Sequence, residues 1–332
     1  PWPMCAVCIR ITENRGASQL FGTNTLLNMA ALLFAGLLFS RLIKLLKLPN
    51  VTGFLVGGLI IGPSVLGLLS AQGVEALSLV SSVALGFIAF SIGSEFKISY
   101  FRRVGFLPIV IAVFESLFAV VFVVAALVAS GQALPFSLVL GAIAAATAPA
   151  ATIMVIKQYR ARGPVTETLL SVVALDDATA LIFFGIAVAI AQALASPQHA
   201  SLLASMAAPV LQIFEALGIG LVLGAAHTLL IRFLPARHNR LALTIAFVLT
   251  ATAVADMLGL SALLTTMAMG AVFANFCRQS AQVMEVTDRF TNPIYMMFFV
   301  LSGAGLNLSL LPSIGLVGII YVVVRVVGKL AG

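Results

Sequence analysis

Charge is scarce in this sequence. Lys, Arg, Asp and Glu together supply 9% of the 332 residues, against 61% hydrophobic. A soluble domain cannot hide that much apolar surface, which excludes the water-soluble classes and points to a polytopic membrane protein. Also lacking is the short apolar–polar alternation of a lipid-spanning barrel. The apolar runs are continuous, so the spans are helices. Cysteine is sparse: Cys5 and Cys8 form a lone CxxC, Cys277 ends an apolar run, and no second pair completes a metal or redox site. A cleavable signal pattern is missing as well, and the first apolar run can act as its own insertion signal.

Eleven apolar segments are present, at 24–46, 51–70, 75–96, 104–130, 135–157, 165–194, 206–233, 240–257, 259–278, 287–308 and 313–332. Each is near the roughly 20 residues that a ~30 Å hydrocarbon core requires. One set of connections is basic, carrying for example Arg41, Lys44 and Lys47, then Lys157, Arg160 and Arg162, then Arg232, Arg237 and Arg240. The alternate set, near 71–74, 131–134, 195–205 and 309–312, has no Lys or Arg. By the positive-inside rule the basic set is cytoplasmic. Residues 1–23 then form an extracytoplasmic tail and the C-terminus is cytoplasmic. The net charge of +7 is a topology signal, and nucleic acid drops out as a partner.

The sequence repeats itself weakly. GSEFKIS (93–99) matches GAGLNLS (303–309), and GFLVGGLIIG (53–62) resembles SALLTTMAMG (261–270). Both matches pair a segment with the one seven further on, and an odd shift inverts the copies. Inverted repeats are the build of many secondary transporters; chance similarity between apolar helices is the alternative. The repeat predicts a first unit at 24–194, with core helices in 104–194, a linker helix at 206–233 and an incomplete second unit at 240–332. Two further helices would complete that unit, so the chain looks truncated after the eleventh of thirteen.

Polar residues inside the apolar segments carry the chemistry. In SVVALDDATALIFF (171–184), Asp176 and Asp177 lie about 17 Å into the sixth segment, near mid-bilayer. Each Asp there costs about 2.5–3.5 kcal/mol on insertion scales. Such acids face water-filled cavities and mark ion or proton paths. A coupled pair can hold a proton or a metal cation, and holding one disfavours the other. The bland alternative is a pair bonded to helix ends with no transport role. In the preceding segment, AAATAPAATIMV (144–155), Pro149 lacks an N–H and disrupts the ladder. Thr147 and Thr152 offer oxygens beside the freed carbonyls, the arrangement expected of a midplane ion site; a simple proline kink is the other reading. Glu115 and Arg325 also lie at depth and are separated by the repeat offset of 210 residues. They are expected as a supporting charge pair, with Asp176 as another possible partner of Arg325. Gly57, Gly58 and Gly62 permit close helix packing. Lys329 reads as a snorkelling residue.

These stretches together resemble the second monovalent cation:proton antiporter family, through NVTGFLVGGLIIGPSVLGLL (50–69), TAPAAT (147–152), ALDDATAL (174–181), and Arg325 with Lys329. The resemblance covers 24–332. It implies an all-α, thirteen-helix inverted-repeat fold with a broken crossing helix, a dimerisation domain and a moving core. It further implies a homodimer in a bacterial inner (plasma) membrane. Asp177 would be the cation and proton ligand, with Asp176 supporting the ion or pairing with a basic residue and Thr147 the broken-helix threonine. Arg325 stands where several members have Lys, and an Arg does not deprotonate readily.

The expected function is secondary active exchange of Na+ or K+ for H+ by alternating access. Asp176 and Asp177 hold the metal ion, and no cofactor is required beyond the transported ions. The alternatives are a passive cation channel and an inactive truncated antiporter fragment. The chain is not expected to be an enzyme: an intramembrane aspartyl protease needs two Asp on facing helices, and here both are adjacent on one.

Overall fold

The computed structural model describes residues 24–98, 105–147, 149–195, 202–234 and 236–332. They form helices α1 (Thr25–Leu45), α2 (Asn50–Ile61), α3 (Ala71–Ala76), α4 (Ser78–Glu95), α5 (Leu107–Ala129), α6 (Leu134–Ala145), α7 (Pro149–Tyr159), α8 (Pro164–Ala195), α9 (Leu202–Ile231), α10 (Arg237–Met257), α11 (Ala262–Phe276), α12 (Ser280–Ala304) and α13 (Leu311–Ala331), with one 3-10 turn at Leu308–Leu310. No strand occurs among the described residues.

Local chemistry sets the boundaries. Asn24 caps α1 by accepting from the N–H groups of Leu26 and Leu27 at 3.0 and 3.2 Å, and Ser261 accepts from Leu264 to start α11. The apolar run at 51–70 is shorter as a helix than as a sequence segment. Gly62 is extended (φ −68°, ψ 176°) ahead of Pro63, as the residue before a proline prefers. The run at 135–157 is broken outright. Ala146 turns extended (φ −61°, ψ 137°), and α7 restarts at Pro149, where a missing N–H costs nothing. Gly315 (φ 51°, ψ −140°) kinks α13 near its start.

Four stretches among the described residues are long and apolar enough to cross a membrane: α1, α5, and the Leu211–Ile231 and His238–Met257 parts of α9 and α10. Side-chain placement fits lipid as the solvent. Large apolar groups such as Phe34, Phe214 and Val222 are exposed, whereas Ser116, Ser137, Thr265, Thr266 and Thr291 are fully buried.

The chain divides into two compact units. The first is Pro1–Leu85 with Asp288–Ser313; the second is Gly86–Thr287 with Ile314–Gly332. In the first, α2 crosses α12 backbone to backbone: a Cβ on Gly58 would fall 1.8 Å from the Val300 carbonyl oxygen. In the second, α5, α6 and α13 gather around a core of Val123, Leu127 and Ala144. Onto this core α13 lays Val317, Tyr321 and Val324, spaced i, i+4, i+7 along one helix face.

Candidate functional site

The second unit contains a charged cluster at the α6–α7 break. Asp176, in the middle of α8, is 0% exposed. Ser116 on α5 donates to its Oδ1 at 2.8 Å. Its Oδ2 accepts from the Thr147 hydroxyl in the break and from Lys329 Nζ of α13 at 3.0 Å. Thr179, one turn along α8, lies 3.1 Å from Ser116 and 2.9 Å from the Asp176 backbone carbonyl. A bare carboxylate in this position would be prohibitively desolvated; one cation and two hydroxyl donors compensate it.

Lys329 joins the parts. An ammonium has three donors, and all three are used: on Asp176, on Thr147 Oγ1 at 2.7 Å and on Glu115 Oε1 at 2.6 Å. The lysine and glutamate side chains keep 16% and 19% exposure, against 1% for Asp176. The lysine reaches Glu115 because α13 lies directly on α5. A Cβ at Gly328 would sit 2.8 Å from Ala119 Cα, and one at Gly332 would sit 2.5 Å from the Phe114 carbonyl oxygen. The stretch GKLAG (328–332) is thus a small-xxx-small contact, with the lysine set beside its first glycine.

The expected pair of Glu115 with Arg325 is corrected here: Lys329 takes Glu115, and Lys329 rather than Arg325 reaches Asp176. Equal depth and the 210-residue offset put Glu115 and Arg325 level in sequence. The contact is decided instead by where the two backbones touch, at Gly328 and Gly332. Arg325, one turn earlier, donates from Nε to the Ala144 carbonyl at 3.0 Å and from Nη2 to the Ala146 carbonyl at 2.5 Å. These carbonyls at the end of α6 have lost their helical partners and carry the negative end of its dipole. A guanidinium fork suits them.

The remaining site residues are placed as follows. Thr147 meets Asp176 directly. Pro149 opens α7, with its side chain outside the described residues. Thr152, further along α7, is not among the groups that bond Asp176. The Asp177 side chain lies outside the described residues, although its backbone continues α8. Sequence reasoning missed Ser116 and Thr179. The available signals were a serine adjacent to Glu115 inside an apolar run, and a hydroxyl at i+3 from the Asp on one helix face.

The oxygens of the cluster are the Asp176 and Glu115 carboxylates and the Ser116 and Thr147 hydroxyls, and the Lys329 ammonium bonds three of these groups. Among the described residues no three His, Cys, Asp or Glu side chains cluster as a transition-metal site would require. Oxygen acceptors of this kind suit hard cations and protons.

The sequence matches the model of the family described as sodium/hydrogen exchanger, transmembrane, over residues 29–332. The chain belongs to this family. It is an integral membrane protein of a transporter family, and cation/proton exchange is the activity that membership carries. The exchanger is also similar to the electron-microscopy structure of the sodium proton antiporter MjNhaP1 from Methanocaldococcus jannaschii. The TM-score is 0.70 at 18% identity, over 90% of this chain and 73% of that one. A structure of the same antiporter at pH 8 gives 0.66 at 19% identity, over 92% and 78%. At such identity the likeness establishes the fold. No curated protein is detectably similar in sequence.

Proposed function

We propose that the exchanger moves Na+ or K+ against H+ by alternating access, with Asp176 and Asp177 as the shared cation and proton site. The observation that carries this reading is the fully buried Asp176, bonded to Thr147 in the break of a helix and to the ammonium of Lys329. Asp176 then has the pairing role. Asp177 is the principal ligand, by the likeness of ALDDATAL to the antiporter motif. Thr147 supplies a further oxygen, and Glu115 is a second acid held by the same lysine. In the same reading, 24–194 and 240–332 are inverted repeats joined by the helix at 206–233. The basic connections are cytoplasmic, the N-terminus is outside, and the protein works as a homodimer in a bacterial inner membrane.

The test is dequenching of a trapped pH gradient in proteoliposomes on addition of Li+, Na+ or K+. Wild type is expected to dissipate the gradient with at least one of the three, and Asp177→Asn to abolish the response. Undiminished exchange in Asp177→Asn overturns the site assignment. A conductance independent of pH, without proton coupling, overturns exchange itself in favour of a channel.

A further inference from the structure

Away from the charged cluster, a groove of about 500 Å³ opens on the second unit between α9 and α11. Its origin is steric. At Gly224 the two helices touch so closely that a Cβ would lie 2.8 Å from Val272 Cβ and 2.9 Å from the Met269 carbonyl oxygen. Beyond that contact α9 carries larger side chains and a cleft remains. Leu221 and Ala225 of α9 and Val272 and Phe276 of α11 form apolar walls, with Thr228 and Arg232 further along α9.

The polar groups of the groove lack partners. Arg232 is exposed, and its guanidinium makes no ion pair or hydrogen bond with the described residues. Thr228 is 4% exposed, and its hydroxyl has no hydrogen-bond partner among the described residues. From Leu221 to Arg232 the groove runs eleven residues along α9, about 17 Å, close to one leaflet of a ~30 Å hydrocarbon core. It is apolar at depth and cationic at the interface. That gradient is the reverse image of a single anionic phospholipid.

We infer that this groove is a binding site for an anionic phospholipid of the leaflet at the Arg232 end. The phosphate lies on the Arg232 guanidinium, which suits phosphate oxygens in paired hydrogen bonds. One acyl chain runs from the Arg232 end along Ala225 and Val272 toward Leu221, beside the close contact at Gly224. Thr228, after a χ1 rotation, offers its hydroxyl to the ester region. The inference requires membrane insertion but not the assignment of the ion site.

The experiment uses full-length protein in vesicles, with Phe276→Trp as a fluorescent reporter on the groove wall. The sequence's single Trp, at position 2, is replaced by Phe so that emission comes from the groove alone. Phosphatidylcholine vesicles receive equal fractions of phosphatidylglycerol or phosphatidylcholine with brominated chains. The brominated anionic lipid is expected to be enriched at the reporter roughly fivefold over the brominated zwitterionic one, the effect of one basic residue near an anionic headgroup. Arg232→Gln should remove the preference and Arg232→Lys should keep most of it. Equal quenching by both lipids overturns the inference, leaving ordinary annular lipid. Quenching lost for both lipids as protein density rises also overturns it, in favour of a second copy covering the groove. Because the readout is lipid occupancy, failure here leaves the exchange assay unaffected, and failure of exchange leaves this result standing.

Discussion

Replacing Lys329 by Met removes the one cation that Glu115 and Asp176 share while nearly preserving side-chain length. Both carboxylates touch the same nitrogen, at 2.6 and 3.0 Å. Their oxygens therefore lie within about 6 Å, where like charges repel by roughly 3 kcal/mol at an effective dielectric near 20. The 19% exposure of Glu115 lets water screen part of this, leaving about 1–2 kcal/mol. Asp176 and Thr147 each also lose a charged donor in a nearly dry site, another ~1–3 kcal/mol. The variant should be about 3 kcal/mol less stable near pH 7.5, measured as loss of thermal stability of the full chain in detergent. Adding Glu115→Gln should restore part of that loss, since one of the two repelling charges is gone. Equal stability of Lys329→Met and wild type at pH 7.5, or a double variant no better than the single one, would refute the reasoning.

Two other changes probe how the cluster is held. Arg325→Gln should cost about 1–3 kcal/mol in thermal unfolding, because the Ala144 and Ala146 carbonyls lose their donors; Arg325→Lys should recover only part of it, an ammonium being unable to reproduce the fork. Gly328→Ala puts a Cβ 2.8 Å from Ala119 Cα and should cost about 1–3 kcal/mol by overpacking; by moving α13 off α5 it should also make a second change, Lys329→Met, measurably less damaging than in wild type.

The sequence disclosed more of the fold than of the site. Long apolar runs with alternating basic loops give the order of the membrane segments, because lipid leaves the backbone no other way to satisfy its hydrogen bonds; the eleven runs become thirteen helices, since 135–157 divides into α6 and α7 and the short α3 precedes α4. Pro149 disclosed the break, and Gly58 disclosed a backbone crossing. Several boundaries were hidden, among them the start of α12 at Ser280, seven residues before the apolar run. The run at 51–70 stays apolar past Ile61, so hydropathy continues where Gly62 and Pro63 end the helix. Gly315 kinks α13 without interrupting its apolar pattern. The acid of the cluster was legible, since a buried Asp announces its own cost. Its partner was not. Arg325 and Lys329 share a face of α13 one turn apart, and depth alone cannot say which meets Glu115. That choice rests on Gly328 and Gly332, whose small size was visible in GKLAG but whose opposing surface on α5 was not.

The division between the two basic residues follows from their chemistry. The carbonyls at the end of α6 are two fixed dipoles on one chain segment, and they meet Arg325, which bonds in a rigid plane. The carboxylates of Asp176 and Glu115 and the Thr147 hydroxyl converge from different directions, and they meet Lys329, whose single nitrogen bonds three oxygens on three different elements. A planar fork thus stands against neighbouring dipoles, and a compact, readily redirected charge stands against separate acceptors. Exchanging the two, as Arg325→Lys with Lys329→Arg, conserves net charge and side-chain class yet places a planar fork where three separate acceptors converge on one point. The doubly exchanged protein should therefore lose more thermal stability than Arg325→Lys alone, and a swap that leaves stability unchanged would show that only the number of positive charges on α13 matters.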